Sequence, residues 1–292
     1  MSMDALREKI RKTKNPSVLE LGMSLSDVPA SILESAESPS AAMGFYCREL
    51  LLELKGLIPA VRVCFGQFAL LGAEGVIQLQ QVLKTAHENH YYVLLEAPEM
   101  LSVAAAENAA KYLLAEDSIF TCDGVIISGY MGSDLLKPFL PYCKKGKKSV
   151  FVVSRTGNKS APELQDLLAG TRLVHTAAAD HVNRYTAGTI GKCGYSSVGI
   201  LAAASSAQSL RELRGKYPQL FLLLDGYDYP NANAKNCSFA FDKYGCGAAV
   251  CAGRSIYAAW QQEQESPEHY LVCAKFAAER IRKNLTRYVS IL

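Results

Sequence analysis

The sequence predicts an α/β protein, a single (β/α)8 TIM barrel with extra helices at its N-terminal and C-terminal ends, and three observations predict it. Eight short apolar runs recur about one βα unit apart, each followed by a helical pattern. The turn after the first run, Gly22-Met23-Ser24, lacks the G-x-G-x-x-G that opens a nucleotide-binding open sheet. No linker, low-complexity tract or composition shift divides residues 1–292, so one domain is expected.

Taken in order, a helix over Met3–Lys12 precedes the first strand, Val18–Met23, and a turn at Ser26–Pro29 follows. Apolar positions at helical spacing run from Ser40 to Leu54 and lead into the strand Ala60–Phe65. A helix over Gly72–His87 precedes the strand Tyr91–Ala97, the most continuously apolar of the early runs. The alternation continues with a helix at Ser102–Leu114, a strand at Gly124–Gly129, a helix at Ser133–Tyr142 and a strand at Ser149–Ser154. A helix near Pro162–Leu168 and helical character over His175–Thr189 are expected before the strand Ser197–Ala203. The last units are a helix at Ala207–Gly215, a strand at Leu220–Asp225, a helix at Cys237–Tyr244 and a strand at Ala248–Cys251. Two helices, from Ser255 and from Pro267, finish the chain.

Composition narrows the function. The apolar fraction of 49% against 20% charged residues is globular, not disordered. A net charge of +3 with no basic stripe argues against nucleic acid; Lys144, Lys145, Lys147 and Lys148 read as a solvated surface run. No apolar stretch is long enough for a membrane span, and the first residues are charged and amphipathic, so a cytoplasmic protein is expected. The nine cysteines are scattered, odd in number and never C-x-x-C, which reads as small core residues in a reducing compartment. No metal or cofactor is expected: His87 and His90 stand beside Glu88 and Asn89 at a helix end, and His175 and His181 lack a ligand-spaced partner.

In a barrel the working residues stand at the carboxyl ends of the strands. That leaves Ser24, Arg62, Cys64, Glu96, Glu99, Tyr130, Asp134, Thr156, Asn158, Asp225–Pro230, Gly253 and Arg254. A strand, a glycine and an arginine opening a helix, as in AVCAGRSIYAAW (Ala249–Trp260), put backbone N–H groups and a guanidinium on one anion. The alternative is that Gly253 only caps a strand and Arg254 pairs with a carboxylate. Likewise Glu96 and Glu99 form either a new acid/base pair or, more simply, Glu96 pairs with Arg62 across adjacent strands.

Five segments, in order, bring a family into view. AVRVCFGQFALLGAEG (Ala60–Gly75), SGYMGSDLLKPFL (Ser128–Leu140), RTGNKSAPELQDL (Arg155–Leu167), the stretch from Ala202 to Tyr227, and CAGRSIYAA (Cys251–Ala259) resemble consecutive segments of orotidine 5′-phosphate decarboxylases, especially their longer bacterial branch. The resemblance spans nearly the whole chain. It implies a homodimer and a reaction that releases CO2 from orotidine 5′-phosphate to give UMP in de novo pyrimidine biosynthesis. It also implies a D-x-K-x-x-D motif in which the lysine stabilises and then protonates the carbanion.

Here that motif reads E-A-P-E-M-L, so Glu96 matches the first aspartate while Pro98 and Leu101 fall on the lysine and the second aspartate. Arg62 stands for a second-strand lysine, Ser24 for the ribose aspartate and Gly157 for a serine at the pyrimidine edge. DGYDYPNA (Asp225–Ala232) has lost most glycines of the phosphate turn. Arg254, Gly253, Gly226, Asn158, Thr156 and Tyr130 remain for a nucleoside monophosphate or another phosphorylated small molecule. The resemblance therefore implies a barrel whose decarboxylase activity is lost or much reduced. Two alternatives stand beside it: an active enzyme rearranged around Arg62, Glu96 and Lys159, and a non-catalytic interaction or regulatory subunit.

Overall fold

The structure, a computed structural model, describes residues 1–97 and 102–292. Glu99 and the two replaced motif positions, Pro98 and Leu101, lie outside the described residues. Eight parallel strands close into a barrel: β1 (Ser17–Leu21), β2 (Ala60–Cys64), β3 (Tyr92–Glu96), β4 (Gly124–Ser128), β5 (Ser149–Val153), β8 (Val198–Ala203), β9 (Leu222–Asp225) and β10 (Ala248–Ala252). Between β5 and β8 the chain adds a two-stranded hairpin, β6 (Leu168–Ala169) with β7 (Arg172–Leu173). The circuit closes through β1, which pairs with β10 on one side and β2 on the other.

Two apolar bodies hold this arrangement. Alternate residues of each strand point outward against the helices or inward to the barrel axis, because side chains in a strand alternate faces. Val18, Ala60, Tyr92, Leu94, Phe151 and Leu223 are among the inward set, and all are at most 1% exposed. The helix Ser2–Thr13 plugs the amino-terminal end of the barrel with Met3, Leu6 and Ile10. Deep in the same wall Tyr92 Oη is 2.6 Å from Ser2 Oγ and 2.7 Å from Ser149 Oγ, so its hydroxyl is not stranded in the core.

Several expected elements differ, each for a local reason. The helix expected near Pro162–Leu168 is a 3-10 turn, Ala161–Glu163, followed by the β6–β7 hairpin, whose two-residue loop begins with Gly170 at φ +68°. Ser133–Tyr142 is broken into Ser133–Leu136, a 3-10 turn at Lys137–Phe139 and Leu140–Lys144, because Pro138 and Pro141 lack the N–H a continuous helix needs. The helix placed at Cys237–Tyr244 lies at Ala234–Ser238: the Asn233 side chain caps it, and Asp242 Oδ1 folds the following residues by accepting from the N–H groups of Tyr244 and Cys246. Helical structure after β7 stops at Asn183, short of Thr189, and a short helix at Ala30–Ser35 follows the expected turn. The segment from Ser255 is two short helices, Arg254–Tyr257 and Ala259–Gln262. Among the described residues no helix is long and apolar enough to cross a membrane.

Candidate active site at the barrel mouth

Above its apolar layers the barrel interior turns ionic. The inward alternation that buries Val18, Ala60, Leu94 and Leu223 carries on, two residues later, to Glu20, Arg62, Glu96 and Asp225. Arg62, only 5% exposed, is the hub. Its Nε and Nη2 donate to Glu96 Oε2 and Oε1 at 2.9 and 2.6 Å, and its Nη1 donates to Asp225 Oδ1 at 2.6 Å and to Glu20 Oε2 at 3.2 Å. Three carboxylates thus enclose one guanidinium in the way oxygen ligands enclose a bound cation.

The electrostatics follow from that count. Burial favours discharging Arg62, but Glu20, Asp225 and Glu96 outweigh it and hold the guanidinium well above its ordinary pKa. Burial pushes the Glu20 carboxyl up to about 7; Arg62 opposes this, while Asp225 and Glu96 add to it. One positive charge cannot neutralise three negative ones, so near neutral pH the cluster relieves itself by keeping a proton on Glu20 part of the time. Cys64 donates its S–H to Glu96 Oε2 at 3.0 Å, and burial together with that carboxylate pushes the thiol far above its usual pKa.

Asp225 also accepts from the Gly157 N–H at 3.1 Å, which ties the loop after β5 to the end of β9. Over that junction lies Tyr229. A Cβ built on Gly157 would meet its ring at 2.7 Å and one on Gly226 at 2.3 Å, and Gly226 has φ +78°. Both positions therefore need glycine because the tyrosine ring rests on their backbone. Where the resemblance implies a serine reaching a pyrimidine edge, the Tyr229 ring occupies the space beside Gly157.

The other expected site residues are dispersed around the rim. Gly253 N–H donates to Asp228 Oδ2 at 2.8 Å, so the backbone donor of the expected anion site has a carboxylate of the chain itself as partner. Arg254 pairs with Asp27 at 3.2 Å and with Gln261 at 3.0 Å, and its side chain is 57% exposed. Tyr130 Oη donates to the Ser154 carbonyl at 2.5 Å, and Thr156 Oγ1 donates to Asn158 Oδ1 at 2.5 Å, both within the walls of the loops. Asp134 pairs with Lys137 on the surface, and the Ser24 side chain joins Ser26 and Asp27 in a cap. Asp225 at the end of β9 and Asp228 in the loop after it both face the site: Asp225 into the barrel, Asp228 onto Gly253.

Glu20 is the residue that sequence reasoning passed over, because it sits within β1 and not beyond its end. The signal was present: a lone charge in the apolar run SVLEL, two residues beyond inward-facing Val18, has only the barrel axis to point to.

Fold and site together define a closed parallel (β/α)8 barrel with its ionic residues at the carboxyl ends of the strands, the end where barrel enzymes work. The chain belongs to the orotidine 5′-phosphate decarboxylase / HUMPS family, whose model it matches over residues 104–268. The orotidine 5′-phosphate decarboxylase of Clostridium kluyveri is 28% identical over 290 residues, with 98% of each chain covered. Among solved structures, a putative orotidine-monophosphate-decarboxylase from Toxoplasma gondii superposes with a TM-score of 0.78 at 20% identity, covering 98% of both chains. Leishmania donovani UMP synthase superposes with a TM-score of 0.77 at 22% identity; the match takes in 98% of this chain and 56% of that one. At those identities the structural matches establish the shared barrel.

Proposed function

We propose that this barrel keeps the family fold but does not decarboxylate orotidine 5′-phosphate at an enzymatic rate, its reaction centre having become an ion cluster whose one cation is already paired with three carboxylates. The observation that carries the reading is the enclosure of Arg62 by Glu20, Glu96 and Asp225. Decarboxylation of a pyrimidine needs an ammonium both to steady the carbanion and to give it a proton; Pro98 has no proton to give. The nearby cation, Arg62, is a poor acid already bonded to three carboxylates. Among the described residues no lysine donates to Glu96; its donors are Arg62 and Cys64. Loss of the general acid alone costs a factor of about 10² to 10⁴.

The excess negative charge points the same way. At an effective dielectric constant near 20, two unit charges about 5 Å apart repel by roughly 3 kcal/mol. Asp225, Asp228 and Glu96 would all act on an incoming phosphate dianion, against Arg254 at the rim. The test is to titrate the purified protein with orotidine 5′-phosphate and follow product formation: background turnover supports the reading, and turnover at a rate typical of enzymes overturns it. That second outcome would favour the alternative active site built on Arg62, Glu96 and Lys159, which requires the Lys159 ammonium to reach Glu96.

A second reading retains a phosphorylated ligand, held by Gly253 and Arg254 with Gly226, Asn158, Thr156 and Tyr130 along the wall. The exposure of the Arg254 guanidinium favours it, and it requires Asp228 to release the Gly253 N–H. One domain over residues 1–292 and a homodimer complete the proposal; analytical ultracentrifugation reads the assembly state directly.

A further inference from the structure

The end of the barrel opposite its mouth has a cleft of its own. The helix Ser2–Thr13 lies across that end, and beside its last turn, near the segments that enter β2 and β3, is a space of about 520 Å³. It is lined by Lys9, Lys12, Lys55, Asn89 and His90, together with the buried Ile58 and Pro59, and by no acidic residue. Part of this charge has a local explanation. Three helices, Ser2–Thr13, Pro39–Glu53 and Gly72–Glu88, end here, and the carbonyl end of each carries about half a negative charge that a lysine offsets. Three full ammonium charges exceed that, so the cleft stays positive.

Carboxylates elsewhere in the chain do not remove the excess. Lys55, which is exposed, makes no ion pair among the described residues. Lys12 is 3.8 Å from Glu8, a carboxylate that Arg11 already holds through bonds of 2.9 and 3.0 Å. Lys9 is partly buried, and its Nζ donates to the His90 carbonyl at 2.5 Å, which leaves two N–H groups for another partner. Burial lowers the pKa of its ammonium; Asp123 opposes this, and Lys12 adds to it. Asp123 is outside the lining and accepts from the Val93 N–H at 2.8 Å. The wall that Lys9 meets is fixed, because His90 turns back at φ +66° with its N–H on the His87 carbonyl at 3.0 Å.

We propose that this cleft binds a compact oxyanion carrying two or more charges, held by Lys9, Lys12 and Lys55, so that the anion ties the helix Ser2–Thr13 to the segments entering β2 and β3. No Phe, Tyr or Trp lines the cleft, so recognition rests on charge and not on a stacked ring. The cleft shares no residue with the mouth and does not depend on whether the chain decarboxylates anything.

The probe is inorganic pyrophosphate, titrated calorimetrically at low salt into the wild type, Lys12→Glu, Lys55→Glu, Lys111→Glu and Arg254→Ala. Lys12, Lys55 and Lys111 are all exposed, so each reversal leaves the fold intact and changes the net charge equally. Lys111, on the helix Ala106–Leu114, does not line the cleft. The expected result is one bound pyrophosphate whose affinity falls about tenfold or more in Lys12→Glu and in Lys55→Glu and is unchanged in Lys111→Glu. Three results overturn the proposal: no binding to the wild type, equal losses in all three reversals, or binding kept in Lys55→Glu and lost in Arg254→Ala. The second would reduce the effect to diffuse attraction, and the third would put the anion at the mouth.

Discussion

Arg62 and Glu96 meet through two parallel hydrogen bonds, Nε to Oε2 at 2.9 Å and Nη2 to Oε1 at 2.6 Å, although they are not opposite one another in the sheet. In the register of β2 and β3, Arg62 faces Leu94 and Cys64 faces Glu96. The guanidinium reaches diagonally forward, which puts its remaining nitrogen within reach of Asp225 and Glu20 from two other strands. One side chain thereby joins four of the eight strands at the top of the barrel.

Removing that hub should cost more than reshaping it. Arg62→Met leaves three carboxylates facing one another without a cation, and a loss of about 3 to 5 kcal/mol is expected from denaturant unfolding at pH 7.5. Arg62→Lys keeps the charge but loses the fork, so its loss should be smaller. Equal stability of Arg62→Met and wild type would contradict the account.

Glu20 gives the stability a pH dependence of definite sign. Its carboxyl titrates near 4.5 when unfolded and near 7 when folded, so the folded state holds the proton more firmly. The contribution is complete below about pH 4.5 and is lost as pH rises to about 7, a change on the order of 3 kcal/mol. Glu20→Gln should flatten this part of the profile, measured as urea midpoints between pH 5 and 8. A slope that survives the substitution would assign it to another group.

How much of this could be read beforehand differs between scaffold and site. The barrel was legible because eight apolar runs, such as SVFVV at β5 and AVRVC at β2, repeat at βα spacing, and that pattern depends only on burial. Arg62 and Glu96 as partners were also legible, being charges on adjacent strands. The bond from Asp225 to Arg62 and the one from Asp228 to Gly253 were not: the first crosses the barrel between strands that are not neighbours, β2 and β9, and the second depends on the loop after β9, whose course no periodicity encodes. The helix boundaries near Pro138, Pro141 and Asn233 moved for reasons of capping and missing N–H groups, which act over single residues.

Asp228 is expected to guard the Gly253 N–H. Asp228→Ala removes both the competing acceptor and a negative charge, so inorganic phosphate should bind about tenfold more tightly to it than to the wild type. Calorimetry at low salt measures this. An unchanged affinity would show that the Gly253–Arg254 corner does not receive phosphate.

Cys64 should be a poor nucleophile despite its place near the mouth. With burial and the Glu96 carboxylate both disfavouring the thiolate, alkylation of the native protein at pH 8 should proceed far more slowly at Cys64 than at a free thiol, as followed by peptide mass spectrometry. Labelling at the free-thiol rate would show that the Cys64–Glu96 contact is not kept in solution.

The central claim is the loss of the decarboxylase centre, and release of labelled CO2 from carboxyl-labelled orotidine 5′-phosphate tests it most directly. The protein would be run beside a protein-free control and the Clostridium kluyveri relative under identical conditions. The account predicts release at the control rate, since Pro98 supplies no proton and Arg62 is committed to Glu20, Glu96 and Asp225. Release at a rate comparable with the relative would contradict it.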